Sequence, residues 1–496
     1  MANKTNQWGS NLSFILAMIG SAVGLGNIWR YPYVLYYNGG GAFYIPYLTA
    51  IIVLGLPFLF LEYGVGYHFS SSFAKAIKNI HSKFEFLGWL LPIAVFMIMI
   101  YYTAIIGWDG IYVILSFFKG WSADPNVFFT HTLLQTTESP MGLLTFIPVI
   151  AVSMLVAWGI VWSISHRDLE EGLGKVSKFL VPLLFVIMII VVVASILLPG
   201  SGIGLAELFE PEWSSLFNFG IWLSAFGQIV FSLSLGMSIA FTYASYTQDD
   251  TDLITNTITV AFANCLFENF AALGVFSILG YMSLQSGLPV EQLVEQGAGL
   301  IFIVYPTVFN VLGNWASILA PLFFIAVYIA GITSLLSTIE PLSFSIQNKF
   351  GLTRKKTMTI LCIVGAVASM VFATAFGEVC LDAVDTFINQ IAVVFSVVIE
   401  CIVFAWIFKA ERLIDSLNAH SKTIKLNKIW LTIVKYVIPI FLSIIWVGGI
   451  INLLITETDA AVEVMVASAI ILIVATIVFT RLSPRNPDWD KKEERF

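Results

Sequence analysis

Gly20-Ser-Ala-Val-Gly-Leu-Gly-Asn-Ile-Trp-Arg30 gathers three glycines, an amide and a guanidinium inside the first apolar run of the chain. Glycine costs about 1 kcal/mol per position against alanine in a helix. In hydrocarbon an unpaired backbone group costs several kcal/mol, so a spanning helix opens at depth only where its freed N–H and C=O groups meet protein, water or a ligand. Asn27 and Arg30 follow at once, and a charge inside a span is by default a functional-site hypothesis. The glycines alone favour a plainer reading, because Gly20-x-x-x-Gly24 is also the spacing at which membrane helices pack closely. A dinucleotide fingerprint fits poorly, since Gly24-x-Gly26 lacks its third glycine and no strand precedes it.

A second anomaly lies in Gly227-Gln-Ile-Val-Phe-Ser-Leu-Ser-Leu-Gly-Met237, which puts Gln228, Ser232, Ser234 and Gly236 in the middle of an apolar run. Hydroxyls and amides that bond their own backbone compete with the helix there. Asn264 and Glu268 stand one helical turn apart on one face. Ala330-Gly-Ile-Thr-Ser334, Ser337, Thr338 and Glu340 add further oxygens at depth, as do Tyr101-Tyr102, while Glu62 is deep enough to need backbone N–H donors of a broken helix. Carbonyls, hydroxyls and amides without imidazole or thiolate suit a hard cation. Helix breaks expose positive half-helix ends that favour a carboxylate. A zwitterion with Na⁺ is the economical occupant, and two interrupted helices at corresponding positions of two halves point to a transporter binding site.

The elements that must position these residues are membrane helices. The chain has 496 residues, 58% of them hydrophobic and 11% charged, with a mean hydropathy of +0.90. Runs long enough to cross ~30 Å predict twelve spans near 12–36, 41–67, 87–118, 143–165, 176–198, 216–246, 253–283, 318–346, 358–377, 387–409, 429–455 and 462–480. Lys and Arg mark the cytoplasmic side. Lys4, Lys75, Lys78, Lys83, Arg167, Lys175, Lys178, Lys349, Arg354–Lys356, Lys409, Arg412, Lys422, Lys425, Lys428 and the residues from Arg481 onward share one side, against Lys119 alone on the other. Glu207, Glu210, Glu212, Glu291, Glu295, Glu378, Glu457, Asp459 and Glu463 lie opposite, so both termini are expected inside. The net charge of −7 is spread over loops and implies no nucleic-acid partner. Cys265, Cys362, Cys380 and Cys401 lack metal spacing and read as packing residues. No signal peptide precedes the first span. Loop 166–178 reads as a short solvated helix, 284–316 as short helices over an external mouth, spans eleven and twelve as packing or self-association helices, and the tail as charged and mobile.

Gly20–Arg30, Asn38-Gly-Gly-Gly-Ala-Phe43, Ile100-Tyr-Tyr102, Ser232–Gly236 with Thr242-Tyr-Ala-Ser-Tyr246, and Ala330–Ser334 together resemble the neurotransmitter:sodium symporter family, most closely its prokaryotic amino-acid transporters. The resemblance covers spans one to ten in order. It implies an all-α polytopic membrane protein of twelve transmembrane helices, with a 5+5 inverted repeat and broken first and sixth helices. The halves are 1–200 and 201–410, followed by 411–496 with spans eleven and twelve and a cytoplasmic tail. It implies one sodium on Ala22, Asn27, Ser232, Asn264 and the substrate carboxylate, and a second on Gly20, Val23, Ala330, Thr333 and Ser334. The substrate's ends would meet Ala22, Leu25, Gly26, Tyr102, Phe231 and Ser232, and its side chain Ile98, Phe231, Ser234, Met237, Ser334 and Thr338. Arg30 and Asp385 resemble an external gate. Glu268 stands where prokaryotic members hold a fixed negative charge, which implies chloride independence and, more weakly, proton counter-movement. The family's internal gate pair is absent, with Thr5 and Asn348 in its places and Lys4 and Glu340 as candidate substitutes.

The expected function is therefore a sodium-coupled secondary symporter, not an enzyme, importing a neutral, hydrophobic amino acid across the cell (inner or plasma) membrane by alternating access. The other reading is a sodium-dependent amino-acid receptor that does not complete transport. Partners are the amino acid, two sodium ions, the bilayer and a possible second copy of the chain.

Overall fold

A backbone in hydrocarbon must satisfy its own hydrogen bonds, and this chain does so with helices. The computed structural model describes residues 7–294, 297–456, 458–492 and 494–496. Lys4, Thr5, Glu295 and Glu457 lie outside them. Among the described residues the extended pairings are two isolated bridges, Gly40 with Pro211 and Phe146 with Thr374.

Ten helices are long and apolar enough to cross a membrane: Gly41–Phe69, Ser82–Ser116, Pro148–Ser165, Glu170–Ile196, Leu253–Ser286, Gly313–Phe350, Arg354–Phe372, Gly377–Ile407, Lys428–Ile451 and Asp459–Arg481. The pair Asn11–Ala22 and Leu25–Tyr37, bent by 54°, is an eleventh span and first in order. The sixth is split, with Phe219–Ser232 followed after a turn by Ile239–Ser245. Among the described residues, eleven of the twelve expected spans are thus long and apolar enough to cross, the expected sixth being two shorter helices, and the protein is an all-helical, multi-pass membrane protein.

Spans three and eight form the centre, with 78% and 72% of their most apolar windows buried, against 17% and 22% for spans eleven and twelve at the rim. Three boundaries differ from expectation for physical reasons. Span four begins at Pro148, because 140–144 is a separate 3-10 turn capped by Ser139. Span ten begins at Gly377, earlier than 387; the carboxylates that depress hydropathy there are bonded, Glu378 by Thr136 (2.7 Å) and Asp385 by Tyr101 (2.6 Å). Span five begins at Glu170 with a π-helical turn, Glu170–Gly174. Loop 166–178 is therefore more than a solvated helix: Glu170 accepts from the Gly9 N–H and the Ser13 hydroxyl, both at 2.9 Å, and pairs with Lys178 at 2.8 Å.

The tail is also not a free strand. Trp489 is 1% exposed, Arg485 and Asn486 donate to Lys349 at the end of span eight, and Arg495 donates to His68 at the end of span two. Between spans seven and eight the expected short helices occur, including Leu300–Val304 continued by Tyr305–Val311, with Phe302 packed against Trp108 and Tyr112 of span three.

Span seven and the short helix Ser201–Phe209 approach each other closely. A Cβ on Gly204 would lie 1.8 Å from the Phe276 carbonyl oxygen, and one on Gly280 2.5 Å from the Gly200 oxygen. Overpacking of this kind costs roughly 1–3 kcal/mol. Gly204→Ala and Gly280→Ala are each expected to lower the melting temperature of the detergent-solubilised protein. Gly159→Ala, which would meet nothing within 4 Å, should leave it unchanged; equal melting curves for all three would refute the packing argument.

Candidate functional site

The break in span one is a two-residue interruption. Val23 (φ −77°, ψ 100°) and Gly24 (φ −129°, ψ −167°) are extended, and the second half begins at Leu25. Its first turn is capped from within, since Asn27 Oδ1 accepts the Gly24 N–H at 2.8 Å. The Leu25 N–H donates instead to the Tyr102 hydroxyl of span three at 3.2 Å. Two glycines are needed for space. A Cβ on Gly24 would lie 3.0 Å from Ser334 Oγ and 3.4 Å from the Tyr102 oxygen, and one on Gly26 would collide with the Phe231 ring at 2.2 Å.

In span six the backbone turns left-handed at Ser234 (φ 52°), Gly236 (φ 66°) and Ser238 (φ 55°). Left-handed non-glycine residues cost of order 1–3 kcal/mol each and persist where the surroundings over-determine them. The surroundings here are span ten, whose Val397 would be 2.3 Å from a Cβ on Gly236, and span two, whose fully buried Glu62 faces the Gly236 and Ser238 N–H groups with Glu400 as neighbour. Glu62 thus sits at the broken helix as expected, but neither of its oxygens has a hydrogen-bond partner, so the backbone N–H groups expected to satisfy it do not bond it here.

The two breaks meet in one buried polar cluster. Asn27 Nδ2 donates to Asn264 Oδ1 at 2.9 Å and approaches Ser232 Oγ at 3.4 Å, while Asn264 Nδ2 donates to Ser232 Oγ at 2.5 Å. Beneath them Glu268, fully buried, accepts from Ser232 (2.8 Å), Gln228 (3.1 Å), Asn27 (3.3 Å) and the Tyr47 hydroxyl. A buried carboxylate with four donors is stabilised by charge-assisted bonds and places negative charge beside the amide and hydroxyl oxygens above it. That donor set of Asn27, Asn264 and Ser232 oxygens fits a small hard cation. The part played by Tyr47 was not legible in the sequence, where nothing distinguishes it from the tyrosines that merely pack.

A second oxygen cluster joins spans one and eight. Thr333 Oγ1 lies 3.0 Å from the Ala330 carbonyl oxygen and Ser334 Oγ 3.5 Å from that of Val23. Gly20 brings the helices together, for a Cβ there would be 3.3 Å from the Thr333 Cβ and 2.9 Å from Val181. The donors are neutral carbonyls and hydroxyls, which again fit a monovalent hard cation.

Between the breaks is a cavity of ≈ 100 Å³. Ala22, Leu25, Gly26, Ile98, Tyr102, Phe231, Ser232, Ser234, Met237, Ser334 and Thr338, every expected substrate-site residue, line it. Asn27 also lines it, so the cavity and the first cluster share Asn27 and Ser232. Asn264, Gly20, Val23, Ala330 and Thr333 stand behind the wall. Ser21, Trp29, Ile105, Ile239 and Asn389 line the cavity without having been expected.

Over the cavity, the Arg30 guanidinium lies 4.7 Å from the Phe231 ring centroid, and Asp385 accepts from Tyr101 (2.6 Å) and Asn389 (2.8 Å). The expected gate residues make no ion pair with each other within 4.0 Å, and their contacts are to aromatic and amide neighbours. On the opposite side Trp8 closes the chain between the inner halves of spans one and six. Its indole N–H donates to the Tyr243 carbonyl at 2.8 Å and its backbone N–H to that of Tyr246 at 3.1 Å. Glu340, expected beside Lys4, is held by Arg354 in a buried ion pair with Nη1 to Oε2 at 3.0 Å. Asn348 accepts the Ser72 N–H at 2.9 Å.

A profile of the sodium:neurotransmitter symporter family matches residues 5–139 and 122–482. An uncharacterised sodium-dependent transporter of Methanocaldococcus jannaschii is 38% identical over 436 residues, 88% of each chain. The sodium-dependent serotonin transporter of Drosophila melanogaster is 27% identical over 478 residues, 89% of this chain and 76% of the relative. The human sodium- and chloride-dependent GABA transporter 2 is 26% identical over 451 residues, 83% and 74% of the two chains.

Gly26→Ala should displace the Phe231 ring and weaken ligand binding at the cavity by about tenfold, about 1.4 kcal/mol. Adding Phe231→Leu to it should recover part of the loss. Sodium-dependent binding of the transported ligand to purified protein is the measurement, and an unaffected Gly26→Ala would show that Phe231 does not cover the ligand.

Proposed function

Because the chain belongs to the sodium:neurotransmitter symporter family, and is accordingly a sodium-dependent secondary transporter and not an enzyme, we propose that it imports a neutral, apolar amino acid together with two sodium ions. The observation that carries this reading is the convergence of eleven positions on one cavity that shares Asn27 and Ser232 with a buried cluster of amides and hydroxyls.

In this reading the first sodium takes the carbonyl of Ala22, the side-chain oxygens of Asn27, Ser232 and Asn264, and the carboxylate of the amino acid itself. That last ligand couples ion to substrate. The carboxylate also meets the Leu25 and Gly26 N–H groups, at the positive end of the outer half of span one, and the hydroxyl of Tyr102. The ammonium meets carbonyls of Ala22, Phe231 and Ser232. The side chain lies among Ile98, Phe231, Ser234, Met237, Ser334 and Thr338, where the methionine thioether adapts to more than one apolar shape. The second sodium takes Gly20, Val23, Ala330, Thr333 and Ser334 and ties span one to span eight. Phe231, under Arg30 and beside Asp385, covers the occupied site from outside.

The side bearing Trp8 and Arg495 is assigned to the cytoplasm, because Lys and Arg concentrate there. The halves 1–200 and 201–410 are read as an inverted repeat, with 411–496 appended and the exposed faces of spans eleven and twelve turned to lipid or a second copy. Coupling is energetically adequate: each inward charge gains about 2.3 kcal/mol at 100 mV, and a tenfold sodium gradient adds about 1.4 kcal/mol. Two ions supply on the order of 7 kcal/mol, enough for accumulation well above a thousandfold.

Uptake of labelled neutral amino acids into proteoliposomes, with sodium varied on each side, tests the reading. Accumulation should appear only with an inward sodium gradient and vanish in Asn27→Ala; sodium-dependent binding without accumulation would mean a receptor instead. Replacement of chloride by gluconate should have no effect on the native protein. In Glu268→Ser four donors lose their anion, and transport is expected to become chloride-dependent. Loss of native transport without chloride would overturn the role assigned to Glu268. A proton exported in exchange would register as alkalinisation of a pH dye inside the vesicles in step with uptake, and its absence would remove counter-movement from the scheme.

A further inference from the structure

Residues 484–492 and 494–496 bridge elements that alternating access would have to separate. The Arg485 and Asn486 N–H groups donate to the Lys349 carbonyl at the end of span eight, at 3.0 and 3.1 Å, and Asn486 Nδ2 donates to the Asn348 carbonyl at 2.8 Å. Trp489 packs against Trp89 of span three and the ammonium of Lys349, which pairs with Glu85 at 2.6 Å. This anchors the segment to the centre of the bundle.

From that anchor Arg495 reaches across. Its N–H donates to the His68 carbonyl at 2.8 Å, and its guanidinium lies 4.4 Å from the Tyr67 ring centroid, both at the end of span two. Its Nη2 donates to the carbonyl of Thr247 at 2.6 Å, two residues beyond the inner half of span six. The next residue, Gln248, donates to the Trp8 carbonyl at 3.3 Å, at the entrance of span one. Arg495 therefore ties the inner ends of both broken helices to span two. Its ion pair with Asp249, 3.4 Å away, adds little, since the Asp249 side chain is 93% exposed and such pairs are screened. The carbonyl bond and the aromatic stack carry the contact, and a lysine reproduces neither the planar fork nor the stack in full.

We propose that Arg495 is a positioning residue of the transport cycle: it clasps the cytoplasmic side shut, and the cavity opens to that side only when Arg495 releases Thr247. Its consequence for transport rests on the alternating-access reading above, but the clasp itself does not need transport to be observed.

The test is hydrogen–deuterium exchange of the full chain in nanodiscs with sodium, for wild type, R495A and R495K. Exchange over 8–22 and 239–252 is expected to rise about tenfold in R495A, the loss of one charge-assisted hydrogen bond, and by less in R495K, with span twelve (459–481) unchanged. In proteoliposomes R495A should then lower the steady-state accumulation ratio while initial uptake persists. Unchanged exchange over 8–22 and 239–252, or a rise that includes 459–481 equally, overturns the proposal. Should R495A fail to fold, R495K alone decides: a local rise supports the clasp and wild-type exchange refutes it. Failure of sodium coupling in every variant with the local exchange pattern intact would sink the symport reading and leave the clasp standing.

Discussion

The structure depends on one constraint: backbone polar groups opened at membrane depth must be paired. Each break carries its own solution. In span one Asn27 caps the outer half from within and the Tyr102 hydroxyl takes the Leu25 N–H. In span six a left-handed run at Ser234, Gly236 and Ser238 is enclosed by Val397 and faced by Glu62. Neither break stands alone, because Asn27 and Ser232 are joined through Asn264. Opening the helices where they face one another turns a destabilising feature into a concentrated set of donors and acceptors.

That arrangement makes the polar core interdependent. Asn27 contributes to the cap of span one, to the amide network and to the donors around Glu268. Ser232 accepts from two amides while donating to Glu268. In a low-dielectric interior such networks strengthen when complete and are costly when one member is lost. The oxygens that face the cavity are oriented by groups outside it, so the specificity of the cavity wall depends on Gln228, Tyr47 and Glu268 although none of these lines it.

The two sides of the cavity are closed by different physics. The side of Arg30 uses a ring and a guanidinium, Phe231 beneath Arg30, with Asp385 bonded by Tyr101 and Asn389. The side of Trp8 has Trp8 bonded to the carbonyls of Tyr243 and Tyr246, the buried Glu340–Arg354 pair, and Glu170 on the Gly9 and Ser13 donors. Arg495 completes that set from the far end of the sequence. A buried ion pair left with one partner is strongly destabilising, which favours collective separation of these groups over piecemeal loosening.

Composition and pattern by themselves determined a great deal. Long apolar runs in a bilayer have one regular solution, so the twelve helices were legible. Helix-breaking glycines and hydroxyls at depth marked both breaks, because their cost demands a local cause. The residues that line the cavity were legible as a set only through the resemblance of several motifs taken together. What tertiary structure alone decided is who faces whom. Tyr47 reaches Glu268, Asn389 joins Asp385, Glu340 takes Arg354, and Glu170 with Arg495 binds the ends of the broken helices on the Trp8 side. The physical reason is that charges at span ends and in loops read alike in sequence whether they face water or protein. Hydropathy records the cost of moving a side chain out of water and carries no information about the partner that offsets it.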